Sequence, residues 1–189
     1  GKKKKKINTF EDFICSALYL KKERISGEIS IHGGSAGGLL VGATINIRPD
    51  IFKAAVAEVP FVDVLNTILD DTLPLTPPEW EEWGNPIKNI EDFQYISSYS
   101  PYDNIKEQDY PTLLVTSGLT DPRVTYWEAT KWVAKLRDKK TDTNPLFLKT
   151  YTEAGHGGMA GRYNQIKEVA FTYAFILWSH NLLKRPISS

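Results

Sequence analysis

Residues 28–46 read E-I-S-I-H-G-G-S-A-G-G-L-L-V-G-A-T-I-N. Glu28 to His32 is a short β-branched run, the pattern of a strand. Ala36 to Asn46 is small and apolar over a helical length. Between them, Gly33-Gly34-Ser35-Ala36-Gly37-Gly38 sets a serine at a strand-to-helix turn, the context that a G-x-S-x-G nucleophile elbow requires. Glycines two residues either side of Ser35 let strand and helix approach without Cβ clashes. The helix N-terminus behind the serine offers an oriented N–H, that of Ala36, to a developing oxyanion. A plain Gly/Ser turn between two elements shares this pentapeptide, so the rest of the chain must decide between them.

Outward from that turn, strands and helices alternate. Asn8 can cap a helix with Glu11 as its capping-box partner. Phe10, Phe13, Ile14, Ala17 and Leu18 then fall on one helical face. Lys53 to Glu58 is a short buried strand and Phe61 to Leu69 a helix. Residues 72–110, rich in Pro, Trp and acid, hold short helices and loops. Thr112 to Ser117 is the clearest strand and Thr125 to Arg137 a helix, with Tyr126, Ala129, Val133 and Leu136 on one face. Leu146 to Tyr151 is a further strand, and Asn164 to Leu183 a final helix. Such alternation implies an α/β fold with a mostly parallel sheet and helices on both faces.

Two more residues sit where chemistry is expected. Asp121 follows strand 112–117, and His156 follows strand 146–151, each at a carboxyl end. Ligands of open α/β sheets bind outside those ends. Ser35, Asp121 and His156 also occur in the chain order of α/β-hydrolase triads. Alone, Asp121 reads as a turn-former before Pro122 and His156 as a loop histidine. Jointly, type, order and position must be explained three times. His32 is locked beside the serine and His180 lies on the terminal helix, so neither competes as the base. The three histidines show no metal-ligand spacing, and no cofactor is required.

Composition narrows the classes further. The 189 residues include 41% apolar side chains, enough for a real core, and a single Cys, which excludes a disulfide framework and favours the cytoplasm. Lys+Arg and Asp+Glu both number 23, and this neutrality argues against a general nucleic-acid binder. The charge is unevenly laid out. Residues 1–24 hold eight basic and three acidic side chains, residues 49–110 three and thirteen, and residues 111–189 eleven and six. The acidic middle would draw a basic ligand. Lys2 to Lys6 read as a solvated segment leading into the first helix. The longest apolar stretch, Ala170 to Trp178, is too short to span a membrane.

The segments HGGSAGGLL (32–40), AEVPFVDVLNTILDDTLPLT (57–76), EEWGNP (81–86), SYSPYDNI (98–105), GLTDPRVTYWEATKWVAKLR (118–137) and AGHGG (154–158) resemble the prolyl oligopeptidase family of serine peptidases. Ala36 directly after the serine, where prolyl oligopeptidases proper usually carry Asn, favours the oligopeptidase B branch. The resemblance implies an α/β-hydrolase fold, with Ser35 as nucleophile, His156 as general base and Asp121 as its orienting carboxylate. It also implies cleavage of short peptides after Arg or Lys. Glu79 and Glu81 match the acidic pair that binds the basic side chain, and Arg123 the residue that holds a substrate carbonyl.

The residues alone leave Glu79 open. A carboxylate suits a guanidinium through two parallel hydrogen bonds. Yet Thr76-Pro77-Pro78-Glu79 also reads as a capping box, and in a helix Glu79 shares a face with Glu82, not Glu81. The resemblance further implies an N-terminal β-propeller, upstream strands and a second oxyanion donor that residues 1–189 do not include. The chain then reads as part of a catalytic domain, with the nucleophile strand left at a sheet edge. Two other functions fit parts of the pattern: an esterase on the same fold, or a catalytically incompetent fragment or binding module.

Overall fold

A computed structural model describes residues 1–183. Four strands, β1 (Ser30–Gly34), β2 (Ala54–Glu58), β3 (Thr112–Gly118) and β4 (Leu146–Tyr151), form one sheet in the order β1-β2-β3-β4. Every pairing is parallel. Parallel neighbours need crossovers, and helices supply them. These are α2 (Ala36–Ile47) after β1, α3 (Val64–Leu69), α4 (Thr76–Trp83) and α5 (Ile90–Tyr99) between β2 and β3, and α6 (Tyr126–Lys139) before β4. Helix α1 (Ile7–Lys22) precedes the sheet and α7 (Arg162–Ser179) follows it.

The central strands are apolar on both faces because both are buried. Ala54, Ala55, Val56 and Ala57 of β2 have no exposed surface. One face packs Ala55, Ala57, Leu113 and Val115 against α1, α2 and α6, through Ile14, Ile45, Trp132 and Leu136 among others. The opposite face is thinner: Ala54, Val56 and Leu114 meet Phe175 of α7. The expected covering of both faces is therefore partial. Helix α7 leaves Ile166, Val169, Tyr173 and Leu177 exposed, and β1 is an edge strand as expected.

A second core under α3, α4 and α5 gathers Phe10, Leu39, Phe61, Ile68, Trp83 and Tyr99. It holds the acidic, Pro-rich middle of the chain against the front of α2. Three local expectations fail there. Asn8 lies inside α1, whose N-cap position is Lys6 with no side-chain cap. Thr76 is already helical, and its hydroxyl donates to the Thr67 carbonyl (2.8 Å) while Glu79 accepts from Trp83 Nε1 (2.8 Å), so no capping box forms. The lysine run is not simply solvated. Its side chains reach across to acids far along the chain: Lys3 to Glu81 (3.0 Å), Lys4 to Glu91, and the buried Lys6 to Glu82. Long-range pairing sets the surroundings of Thr76 and of Lys3, Lys4 and Lys6.

One carboxyl is buried without a cation against it. Glu128, 1% exposed on α6, accepts from the amides of Val62 (3.1 Å) and Asp63 (3.0 Å) and from Thr67 Oγ1 (2.7 Å). Lys131, one turn on, pairs with Asp63 instead (2.7 Å). Burial pushes the Glu128 carboxyl from its ordinary 4.5 up to about 7; nearby Asp63 adds to the rise, while the three hydrogen bonds oppose it. The folded chain thus keeps this proton to a higher pH than the unfolded chain. Its contribution to stability is full below pH 4.5 and is lost as pH climbs to about 7. Glu128→Gln cannot ionise, so urea unfolding should match wild type near pH 4.5 and exceed it above pH 7 by up to about 3 kcal/mol. Stability curves that stay parallel from pH 4.5 to 8 would contradict this.

Candidate active site

Ser35 joins β1 to α2 with φ 54° and ψ −120°, a conformation rare for a residue with a side chain. Surrounding hydrogen bonds hold it there. Its amide donates to the Glu58 carbonyl (2.9 Å), and its carbonyl accepts from the amides of Gly38 (2.8 Å), Leu39 (3.2 Å) and Phe61 (3.1 Å). The hydroxyl makes no capping bond to α2. The Ala36 amide lies in the first turn, where donors lack an intrahelical acceptor.

Two glycines permit the turn, Gly33 as expected and Gly38 in place of Gly37. A Cβ on Gly33 would lie 2.3 Å from the Gly37 carbonyl oxygen, and a Cβ on Gly38 would lie 2.5 Å from Pro60. A Cβ on Gly37 would meet nothing within 4 Å. The close approach on the helical side is therefore to the loop after β2, at Gly38.

Asp121 and His156 meet across the ends of β3 and β4. Asp121 Oδ2 lies 2.8 Å from His156 Nδ1, and the Asp121 side chain is fully buried. Its other oxygen accepts from the amides of Arg123 (2.8 Å) and Val124 (3.1 Å). Those three bonds fix the carboxylate, which in turn orients the imidazole and leaves Nε2 as the free nitrogen. Among the described residues no hydrogen bond joins Ser35 to His156. Ser35 lines one cleft, and His156 lines a separate cavity of about 340 Å³ with Glu58 and Glu168. His32 pairs with Glu58 (3.2 Å), whose hydrogen bond raises its pKa, and His180 binds Ser30 Oγ (2.6 Å), so both have other partners.

The Ser35 cleft also holds Ala36, Thr67, Glu79, Trp83 and Arg123. The structure thus brings Glu79 and Arg123 to the serine and does not bring Glu81. Helical spacing turns Glu81 outward, where Lys3 pairs with it and its pKa is lowered by that hydrogen bond. Glu82 instead shares the inner face: with Glu79, Lys6 and Ala36 it lines the adjoining hollow. Lys6 lies 4.4 Å from the centre of the Trp83 ring. Glu82 follows from the helical period, whereas Lys6 carried no signal beyond being the last of five lysines. Among the described residues no group of three or more His, Cys, Asp or Glu could hold a metal, and no helix is long and apolar enough to cross a membrane.

A parallel sheet with helices on both faces, a strained serine after the first strand and an Asp–His contact beyond the last two are features of the α/β-hydrolase fold. The chain belongs to the prolyl oligopeptidase family, whose profile matches residues 1–182. It is 52% identical to Protease 2 of Moraxella lacunata over 94% of its own length and 26% of that protein. It is 49% identical to dipeptidyl aminopeptidase BI of Pseudoxanthomonas mexicana, again over 94% of the chain and 25% of the relative. Oligopeptidase B of Leishmania major superposes with a TM-score of 0.94 at 46% identity, over 100% of this chain and 26% of that one. Oligopeptidase B of Trypanosoma brucei, solved with covalently bound antipain, gives 0.94 at 49% identity, over 98% and 26%. The chain spans about a quarter of the length of these relatives.

The glycine geometry is directly testable. Gly38→Ala should lower the unfolding free energy by about 1–3 kcal/mol, the usual range for overpacking. Gly37→Ala, with open space around it and a helical backbone, should be neutral or slightly stabilising. Equal damage at both positions in urea titrations would show that the close approach is misassigned.

Proposed function

We propose that this chain supplies the catalytic residues of a serine oligopeptidase that cleaves short peptides after Arg or Lys. The observation that supports it best is Glu79 and Arg123 sharing one cleft with Ser35. In this reading Ser35 attacks the carbonyl carbon of the basic residue. His156 takes the hydroxyl proton on Nε2 and later gives it to the leaving amine, while Asp121 holds the tautomer through Nδ1. The Ala36 amide stabilises the oxyanion. Closure of the Ser35–His156 contact accompanies substrate binding, since catalytic hydrogen bonds tighten in the bound complex.

The substrate's guanidinium or ammonium enters beside Glu79, and Arg123 donates to a substrate carbonyl. Glu81 acts at longer range, because Lys3 holds it on the outer face. No metal or organic cofactor takes part in these steps. The resemblance adds the remaining parts: upstream strands beside β1, a further oxyanion donor and a β-propeller that limits access to short peptides. A cytoplasmic setting suits a chain with one cysteine.

The intact gene product that carries this sequence should hydrolyse an arginyl amide far better than an aliphatic ester, and Ser35→Ala should abolish both activities. Glu79→Gln should raise KM for the arginyl substrate about 10- to 100-fold, the worth of a hydrogen bond to a charged partner. Glu81→Gln should raise it less. A preference for the ester that neither substitution changes would favour an esterase. A fluorophosphonate that leaves Ser35 unlabelled would favour a non-catalytic chain.

A further inference from the structure

Glu128 takes no part in the chemistry above, yet its carboxyl joins the two walls of the Ser35 cleft. One wall descends from β3: Asp121, then Arg123 and Val124, then α6 carrying Glu128. The other wall is the loop after β2 with α3 and α4. Glu128 Oε2 receives the amides of residues 62 and 63 at the start of α3, and Oε1 receives the Thr67 hydroxyl one turn later. Thr67 and Ile68 line the cleft themselves. The Thr67 carbonyl accepts from Thr76 (2.8 Å) and the Ile68 carbonyl from Trp80 (3.3 Å), both on the helix that bears Glu79. A hydrogen-bonded path thus runs from α6 through one buried carboxyl to the helix carrying Glu79.

We infer that Glu128 is a positioning residue for substrate selection: its reach across the two walls sets where Glu79 stands relative to Ser35 and Arg123. The inference rests on the reading of this cleft as the side-chain pocket. Two parts of the geometry separate it from simple packing. The three donors belong to the far wall alone, and Lys131, the nearest cation on α6, is taken by Asp63. Glu128 therefore serves through its length and its two acceptors. Glutamine has the same reach: its carbonyl can take the two amides, and its amide can donate to Thr67 Oγ1. Aspartate keeps the carboxyl group but is one methylene short.

The test compares labelling rates of Ser35 in the intact gene product by three phosphorus probes. One is a dialkyl fluorophosphate without a recognition side chain; the others are phosphonate diesters bearing a guanidinium or an isobutyl side chain. The ratio of the side-chain probe to the plain probe cancels any change in the active fraction, which a merely structural role would alter. Glu128→Asp should lower the guanidinium-to-plain ratio about tenfold, and Glu128→Gln should keep it within about twofold of wild type. A ratio unchanged in Glu128→Asp, or lowered equally in both variants, would overturn the inference. If Glu128→Asp fails to fold, Thr67→Val removes one of the three bonds at constant size: a fall of about threefold supports the inference, and no fall overturns it. Wild-type preference for the isobutyl probe would sink the basic-residue reading instead, and the same ratios would then be taken with that probe.

Discussion

A serine at φ 54° and ψ −120° persists only because its own backbone is held from three sides. The Glu58 carbonyl takes its amide, and the first turn of α2 and Phe61 share its carbonyl. Everything near the site is arranged around that constraint. Strand β2 must run parallel to β1 so that Glu58 ends beside Gly34. The loop after β2 must pass so close to α2 that only a glycine fits at position 38. Once that loop is placed, α3 and α4 have one side on which to pack, and the acidic middle of the chain is carried to the cleft.

The charge layout gains a physical meaning from the same packing. Three of the five lysines, Lys3, Lys4 and Lys6, fold back on the acids of α4 and α5, so part of the opposite charge cancels within the chain. The cancellation is uneven around α4. Glu81 faces outward to Lys3 and Glu82 is held by Lys6, whereas Glu79 accepts only a neutral indole N–H. The carboxylate left without a cation is the one on the serine's side.

Much of this was legible in the residues. Strand β4 matches its expected span, and β2 and β3 fall within a residue of theirs, because short apolar runs between turn residues have few alternatives. Ser35, Asp121 and His156 could be picked out by type, order and position at strand ends, and the Asp121–His156 contact is where those positions put it. The misses share a cause. Neighbours a few residues away suggest a cap at Thr76 and a solvated lysine run, whereas the partners of Thr76 and Lys4 lie 9 and 87 residues distant. Glu128 did leave a local trace: at i, i+4 and i+8 with Trp132 and Leu136 it falls on the buried face of α6. An acid on an apolar stripe marks a buried carboxyl, although its partners on α3 lie beyond what periodicity can show.

The strand order has a consequence for how the molecule assembles. Among the four described strands spatial order equals chain order, so each can add beside the one just before it without inserting between two already paired. The long-range pairings are therefore closed by successive crossovers, each costing only the loop entropy of its own span. The serine turn obtains its backbone partners when the second strand docks. The histidine loop has its aspartate only once the third and fourth are in place. If these four strands dock in chain order, the nucleophile's scaffold is completed first and the base last.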